Sequence, residues 1–300
     1  MDPFSAEGEL VNIHTAFIQG QYNAVINDFD ASSFSESNRL PIRILQLRAQ
    51  CALGEYRKVI SDISDADAKA TPDLAAVKIY ATFLSKNGRD EKSLADAEKL
   101  ASSNGDNLAV QLLCGTVLAR AEKQEQALQL LSQHQGSLDA VGLIVQIHLQ
   151  QNRTDLALKE ARSARSFAQD ALLVNLAESW IGMRQGGDNY QKAFYVFEEL
   201  AQGPSSASAT SLVAQAVSEL HMGRTEEAEA ALSQALTLEP ENSAAIANKL
   251  VLDTIAGKET TETQTKLESV DKSNELLADL AAKREAFRAA MSKYSPRFSS

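Results

Sequence analysis

The stretch GRTEEAEAALSQALTLEP, residues 223–240, decides how the whole chain is laid out. Its first residue, Gly223, is of a type that ends helices, acidic residues follow, and Pro240 closes the segment. Ala228 and Ala235 are small residues two helical turns apart, so they lie on one face and let a neighbouring helix approach closely. The stretch therefore predicts a tightly packed helix that is bounded at both ends.

Equivalent turns recur upstream at a nearly fixed interval. Counting back from Ala228, in steps of 35, 36, 30, 34, 34 and 34, they fall at Ala193, Ala157, Ala127, Ser93, Val59 and Val25. The glycines repeat the commonest of these steps independently, since it separates Gly20 from Gly54, Gly54 from Gly88, and Gly223 from Gly257. Because two residue classes report one period, the sequence predicts an array of helical repeats.

The repeat unit resembles the tetratricopeptide repeat, in which Gly ends the first helix, an acid and Ala open the second, and Pro closes the unit. The residues at these places are Gly223, Glu227, Ala228, Ala235 and Pro240. The resemblance implies an all-α, tetratricopeptide-repeat-like helical solenoid. We expect about seven repeats and a degenerate eighth over residues 1–270, followed by a C-terminal capping helix and tail over residues 271–300.

The pattern changes after Pro240. The segment KETTETQTKLES, residues 258–269, is too polar to pack on both sides, so the period is expected to fade there. A last helix is predicted from Asn274 to Tyr294. At 100° per residue its large apolar residues project within about 60° of one another; they are Leu276, Leu280, Phe287, Met291 and Tyr294. Such a single stripe suits a helix that covers the end of a solenoid.

Composition and charge favour a folded, cytosolic protein. Hydrophobic residues make up 44% of the chain and charged residues 23%, which is typical of globular proteins. A net charge of −11 without a basic run disfavours nucleic acid and anionic lipid surfaces as direct ligands. No secretory signal is recognised, the most apolar stretch at 138–149 is too short to span a bilayer, and two cysteines give no disulfide framework.

Residue patterns that carry chemistry are not found. The four histidines are far apart in sequence, and none stands at a metal-ligand spacing from a cysteine or an acid. No phosphate-binding glycine loop occurs, because Gly186 and Gly187 lack the preceding strand that such a loop requires. We therefore expect no enzyme, no cofactor and no structural metal.

The repeat register implies a candidate partner-binding groove. By the resemblance, three positions of each first helix face the concave surface. In repeats one to four they are Leu10, His14 and Phe17; Ile44, Arg48 and Cys51; Lys78, Thr82 and Ser85; and Leu112, Thr116 and Ala119. Six of these twelve residues are apolar and two are charged, which favours an extended or hairpin segment of another protein as the ligand. The alternative is that some of these side chains are core, and for Cys51 we expect a packed thiol.

Several longer blocks point to one family. Besides the initial helix, they are residues 70–85 (ATPDLAAVKIYATFLS), 177–200 (AESWIGMRQGGDNYQKAFYVFEEL), 221–232 (HMGRTEEAEAAL), 241–258 (ENSAAIANKLVLDTIAGK) and 283–298 (KREAFRAAMSKYSPRF). In this order they resemble the coatomer epsilon subunit family, and the resemblance covers nearly the whole chain.

The family resemblance implies a non-enzymatic subunit of the COPI coat that binds the C-terminal domain of the alpha subunit. It also implies a cytoplasmic protein that is peripheral on the Golgi membrane and on coated vesicles, with a role in transport between Golgi and endoplasmic reticulum. The alternative is a soluble repeat adaptor or co-chaperone. A co-chaperone that clamps a C-terminal carboxylate needs converging Lys, Arg and Asn residues, and the predicted groove lacks that cluster.

The first two repeats depart from the general pattern. Where the repeat favours Gly or Ala, the chain has larger residues, namely Ile13, Val25, Leu47 and Val59. We therefore expect helix pairs there to pack further apart than usual and the superhelix to be less regular at that end.

Overall fold

The structure is a computed structural model that describes residues 8–203 and 207–294, and over these residues it contains helices and no strand. The α-helices, in chain order, are α1 Val11–Ile18, α2 Tyr22–Asn27, α3 Glu36–Ala52, α4 Tyr56–Asp62, α5 Asp65–Ala70, α6 Pro72–Ser85, α7 Glu91–Ser103, α8 Leu108–Arg120, α9 Gln124–Leu131, α10 Leu138–Gln150, α11 Thr154–Phe167, α12 Leu172–Gln185, α13 Asp188–Gln202, α14 Ala209–His221, α15 Thr225–Leu238, α16 Ser243–Ile255, α17 Thr261–Val270 and α18 Glu275–Lys293.

Consecutive helices pack in pairs, as the repeat pattern predicts. The packed pairs are α1 with α2, α3 with α4, α6 with α7, α8 with α9, α10 with α11, α14 with α15 and α16 with α17. Two glycines show how closely the helices of a pair approach. A Cβ atom added at Gly115 would lie 3.3 Å from Leu131, and one added at Gly182 would lie 3.3 Å from the carbonyl oxygen of Asn189. The all-α, tetratricopeptide-repeat-like fold is therefore confirmed.

The sequence period corresponds to a structural one. The seven residues aligned on the period are all buried, with exposed fractions between 0% and 3%; they are Val25, Val59, Ser93, Ala127, Ala157, Ala193 and Ala228. Each lies near the start of the second helix of its repeat, where it faces a first helix. The sequence period is thus the spacing of one buried contact repeated along the chain.

The turns within the pairs share one backbone conformation. The five glycines that define the interval all have positive φ, between 67° and 80°; they are Gly20, Gly54, Gly88, Gly223 and Gly257. In repeat four the same position, one period after Gly88, is taken by Glu122 with a φ of 63°. A left-handed conformation at a residue with a Cβ atom costs about 1–2 kcal/mol. The turn geometry therefore persists where the glycine is lost.

The second helices of the first two repeats are short. Helices α2 and α4 are six and seven residues long, whereas the corresponding α11 has 14 residues. A short helix that the sequence did not predict, α5, follows α4 and packs on α6. Its start is explained by Ser64, whose side chain accepts a hydrogen bond from the Asp67 amide as an N-cap.

The described residues belong to two compact units, Met1–Val196 and Phe197–Ser300. In the first unit one continuous core follows α3 to α10 and includes Leu47, Phe83 and Leu131. In the second unit the packed side chains of α14 to α16 include Leu232 and Leu252. The predicted boundary at residue 270 lies inside the second unit, between α17 and α18.

The expectation that the period fades at residues 258–269 is wrong. This segment contributes α17, which packs on α16. Its single large apolar residue, Leu267, is 0% exposed and lies in a cluster with Ile246 and Leu250 of α16. One buried leucine is enough because α17 needs to bury only one face, so the eighth pair is complete.

The predicted capping stripe of α18 is correct only at its beginning. Leu276, Leu277 and Leu280 pack against the cluster formed by α16 and α17. The continuation of the stripe does not pack, because Phe287, Met291 and Tyr294 are 67%, 61% and 67% exposed. All residues from Ala281 to Tyr294 are exposed. The cap is thus the first two turns of α18, and the rest of the helix extends beyond it.

Two truncations should separate the cap from this extension. Deleting residues 274–300 removes the three leucines that cover Leu267, so we expect the second unit to melt at least about 5 °C lower, since about 1 kcal/mol corresponds to several degrees in a unit of this size. Deleting residues 282–300 keeps the three leucines, and the described residues that it removes, 282–294, are all exposed, so the melting temperature should be unchanged. Differential scanning calorimetry of both variants checks this, and equal melting temperatures for the two would contradict the role of the first turns as a cap.

Candidate partner-binding groove

The predicted groove residues lie on a row of inner helices in the first unit. In this row α1 contacts α3, α3 contacts α6, α6 contacts α8, and α8 contacts α10. The second helices of the repeats pack outside the row. The predicted groove positions therefore belong to a single surface, which is formed by the first helix of each repeat.

The row curves so that its first helix, α1, reaches its fifth, α10. Nε2 of His14, on α1, lies 3.2 and 3.1 Å from the carboxylate oxygens of Asp139, on α10, although the residues are 125 positions apart in sequence. Arg48 of α3 approaches the same carboxylate, with Nη1 at 3.8 Å from Oδ2, and its guanidinium lies 4.5 Å from the centre of the Phe17 ring. We call His14, Arg48 and Asp139 the clasp, because they link the first two repeats to the fifth.

The clasp separates two pockets on the inner surface. The first has a volume of about 250 Å³ and the second about 170 Å³. Both are lined by Arg48 and Asp139 of the clasp and by Leu112 and Leu113 of α8. The first pocket is further lined by Phe17, Tyr22, Thr116, Gln146, Leu143 and Trp180. The second is further lined by Leu10, His14, Ile44, Asp73 and Asn107.

Most of the predicted groove residues meet at these pockets. Those that line them are Leu10, His14, Phe17, Ile44, Arg48, Leu112 and Thr116. Cys51 and Thr82 do not. Cys51 is 1% exposed and belongs to the core, and burial raises the pKa of its thiol to about 12, so it is the packed thiol that we expected. Thr82 is half-buried and donates a hydrogen bond from Oγ1 to the carbonyl of Lys78 at 2.7 Å.

Burial divides the lining residues into two groups. Leu10, Ile44 and Leu112 are only 3%, 6% and 6% exposed, and they belong to the hydrophobic core. For these three the core interpretation is supported. The half-buried lining residues are Phe17, Arg48, Thr116, Leu143 and Trp180, and Gln146 is exposed. These side chains, rather than those of Leu10, Ile44 and Leu112, are accessible to a ligand.

The sequence prediction missed part of the site because it assigned groove positions only in repeats one to four. The step that leads from Ala127 to Ala157 also leads from Leu112 to Gly142 and from Thr116 to Gln146. Both Gly142 and Gln146 line the first pocket. Trp180 of α12 and Asp139 do not occupy the repeated groove positions. They line the pocket because the inner row curves, which the sequence pattern does not show.

The two cations among the predicted groove positions are paired within the chain. Burial acts to raise the pKa of Asp139, but the hydrogen bond and charge of His14, together with Arg48, lower it to about 2. The position of Asp139 in the first turn of α10 favours its negative charge as well. The other predicted groove cation, Lys78, pairs with Asp65 at 2.7 Å and donates to the carbonyl of Ile63 at 2.8 Å. Neither cation of the predicted set is left for a ligand carboxylate.

The clasp predicts a pH-dependent contribution to stability. Replacing Asp139 by Asn should destabilise the first unit by about 1–3 kcal/mol at pH 7, because Arg48 loses its counter-charge and His14 loses its carboxylate hydrogen-bond partner. Since the folded pKa of Asp139 lies below its ordinary value of 3.8, its charge stabilises the fold above that value, and the contribution is lost as the pH falls towards 2.

Thermal melts of the wild type and Asp139→Asn at pH 7 and pH 3 measure this contribution, and the difference between them should shrink at pH 3. The control is Asp155→Asn, because the Asp155–Arg153 pair is exposed and should contribute little. Equal effects of the two substitutions at pH 7 would contradict the stabilising role of the clasp.

Fold and site together define the class of the protein. Among the described residues no group of three or more His, Cys, Asp or Glu side chains could hold a metal ion, and no helix is both long and apolar enough to cross a membrane.

Solved structures agree on the fold. The chain superposes with a TM-score of 0.60 on a chain of the APC/C hetero-tetramer Cut9-Hcn1, at 14% identity, covering 93% of this chain and about half (54%) of that one. It superposes with a TM-score of 0.58 on a tetratricopeptide repeat protein from Parabacteroides merdae, at 13% identity, covering 86% and 96% of the two chains. The protein has a tetratricopeptide-repeat-like fold.

Sequence comparison specifies the family. The model of the coatomer epsilon subunit family matches residues 6–295. The coatomer subunit epsilon-1 of Arabidopsis thaliana is 30% identical over 299 residues, covering 98% of this chain and all of the relative. The probable coatomer subunit epsilon of Schizosaccharomyces pombe is 30% identical over 246 residues, covering 81% and 80% of the two chains. The chain belongs to the coatomer epsilon subunit family and is a structural subunit of a hetero-oligomeric coat.

Proposed function

We propose that the inner surface of the first unit binds the C-terminal domain of the coatomer alpha subunit. Through this contact the protein would support retrograde Golgi-to-ER and intra-Golgi vesicle transport, as a cytoplasmic protein that is peripheral on Golgi membranes and COPI-coated vesicles. Membership of the family supports this assignment. The observation that supports this location of the binding site is the pair of pockets beside the clasp.

The pockets suit side chains of a protein segment better than a small molecule. Binding sites for small molecules usually have volumes of about 300–1,000 Å³, whereas these have about 250 and 170 Å³. Phe17, Leu143 and Trp180 present half-buried apolar surface in the first pocket, and aromatic anchors in such pockets contribute much of the free energy of protein–protein binding. A segment that places one apolar side chain on each side of the clasp would use both pockets.

The electrostatics of the groove disfavour the co-chaperone alternative. A carboxylate clamp needs cations that are free to converge on the terminus of a peptide. Here Arg48 faces Asp139, and Lys78 pairs with Asp65. With its cations paired, the groove offers an acidic peptide no charge-assisted hydrogen bond from them. We therefore propose a largely apolar ligand segment.

Isothermal titration calorimetry with two ligands tests the proposal. The purified C-terminal domain of the alpha subunit should bind the full chain with one-to-one stoichiometry and a negative heat-capacity change, because apolar surface is buried. A short acidic peptide with a free C-terminal carboxylate should give no heat of binding. Tight binding of the acidic peptide, without binding of the alpha domain, would favour the co-chaperone alternative and reject our proposal.

A further inference from the structure

The outer part of α18 carries a large apolar strip that is exposed to solvent in the part of the chain that the structure describes. Of the eight large hydrophobic side chains that are exposed among the described residues, Phe287 and Met291 lie on this helix and Tyr294 is its C-cap residue. Their spacing of four and then three residues places them on a single face. The 13 helical residues from 281 to 293 extend about 20 Å beyond the leucines that anchor the helix.

Cations flank this strip on both sides. At 100° per residue, Lys283 projects about 40° to one side of Phe287, and Arg284 and Arg288 project about 60° and 100° to the other. Residues 281–294 carry four cations and one acid, although the whole chain has a net charge of −11. Within the structure, Arg284 only approaches the amide oxygen of Gln264 at 3.3 Å, and the Lys293 ammonium lies 5.8 Å from the Tyr294 ring. Neither contact neutralises the charge.

We infer that residues 281–294 form a docking helix, which inserts Phe287, Met291 and Tyr294 into an apolar groove with an acidic rim on another subunit of the coat. Spacings of this kind are those by which amphipathic helices bind hydrophobic grooves on other proteins. The flanking cations require opposite charges around the groove, since like charges at an interface are costly. This surface lies on the second unit, whereas the proposed binding pockets lie on the first.

Two other occupants fit less well. A second copy of the chain would bring two cationic strips together, so self-association through this helix would be repulsive. An anionic membrane would satisfy the cations, but helices that lie in a membrane interface have a strongly charged face opposite the apolar one. Here the cations Lys283 and Arg284 lie beside the strip, and the opposite face includes Ala282 and Ala289. A narrow apolar groove on a protein would accommodate the single apolar face of the helix, and an acidic rim would pair with the flanking cations.

Hydrogen exchange in the assembled coat tests the inference. In the isolated chain, amides of residues 281–294 should exchange rapidly, because this part of the helix packs on nothing. In the purified coat their exchange should be slowed at least about tenfold, since binding to the coat must suppress local unfolding. Unchanged exchange in the coat would overturn the inference.

A cross-linking experiment identifies the occupant. A photo-reactive amino acid at position 287, in coat reconstituted with the full chain, should cross-link to a peptide of another coat subunit. The yield should fall at least about tenfold when Lys283, Arg284 and Arg288 are replaced by Glu. The matched control, which reverses the three exposed cations Arg57, Lys92 and Lys99, should leave it unchanged. Cross-links only to a second copy of this chain, or a yield that is insensitive to the charge reversal, would overturn the inference.

Vesicle flotation separates the membrane alternative. The isolated chain should not float with vesicles that contain about one third phosphatidylserine. Flotation that is abolished by Phe287→Ser with Met291→Ser would show that the helix binds lipid and would also overturn the inference. None of these measurements depends on the groove of the first unit, so failure of the alpha-subunit assignment and failure of the docking helix are distinguishable.

Discussion

Replacing Leu10 and Ile44 together by Asp should unfold the first repeats. From the sequence alone these residues are candidates for an exposed apolar strip, and binding would then be lost with a near-normal melt. The structure gives the opposite expectation for stability, because the two side chains are 3% and 6% exposed and belong to the core. Burying two unpaired carboxylates and losing two apolar contacts should cost at least about 5 kcal/mol, which is comparable with the whole stability of many domains.

Circular dichroism melts of the double variant check this expectation. The matched control replaces two exposed apolar residues, Leu53→Asp with Ile255→Asp, and should melt like the wild type because these side chains are 39% and 64% exposed. A near-normal melt of the Leu10 and Ile44 variant, together with lost binding of the alpha domain, would mean that both residues open towards a partner and are not structural.

Filling the first pocket should abolish partner binding without unfolding the protein. Thr116 and Gln146 line the pocket from α8 and α10, and neither is fully buried. Arg at both positions would occupy the pocket with two long side chains whose charged ends can still reach water. We expect the dissociation constant of the alpha domain to rise at least about 100-fold, which corresponds to about 2.7 kcal/mol, with a change in melting temperature of no more than a few degrees.

The control for this variant places the same charges on the outside of the array. Gln126 and Gln129 are exposed on the outer helix α9, so Gln126→Arg with Gln129→Arg should leave both affinity and stability unchanged. If the outer pair weakens binding as much as the inner pair, the effect is one of net charge and the inner surface loses its assignment.

The fold could be predicted from the sequence because a repeat array encodes its contacts at a fixed spacing. Val25, Ala127 and Ala228 occupy equivalent buried positions, and each contact involves helices that are adjacent in sequence. Local information was therefore sufficient. The same reasoning found Gly54 and Gly88 at their turns, since left-handed residues favour glycine.

The clasp could not be predicted, because the meeting of His14 with Asp139 depends on the summed rotation of four successive repeats. No short-range pattern records that sum. Leu112 shows a related limit, because a position that faces the inner surface can still be covered once the row curves tightly. The exposed end of α18 was missed for a different reason: Phe287 continues the stripe of Leu280, but periodicity cannot show where the covering surface ends.

Trp180 provides the most direct test of the proposed binding site. It is the only tryptophan of the chain and lines the first pocket, so protein labelled with 5-fluorotryptophan should give one ¹⁹F resonance from that site. We predict that the unlabelled C-terminal domain of the alpha subunit, added in stoichiometric amount, shifts this resonance, because the partner replaces water beside the indole ring. A complex that forms with one-to-one stoichiometry by calorimetry, while the ¹⁹F resonance keeps its position and width, would contradict binding at the inner surface.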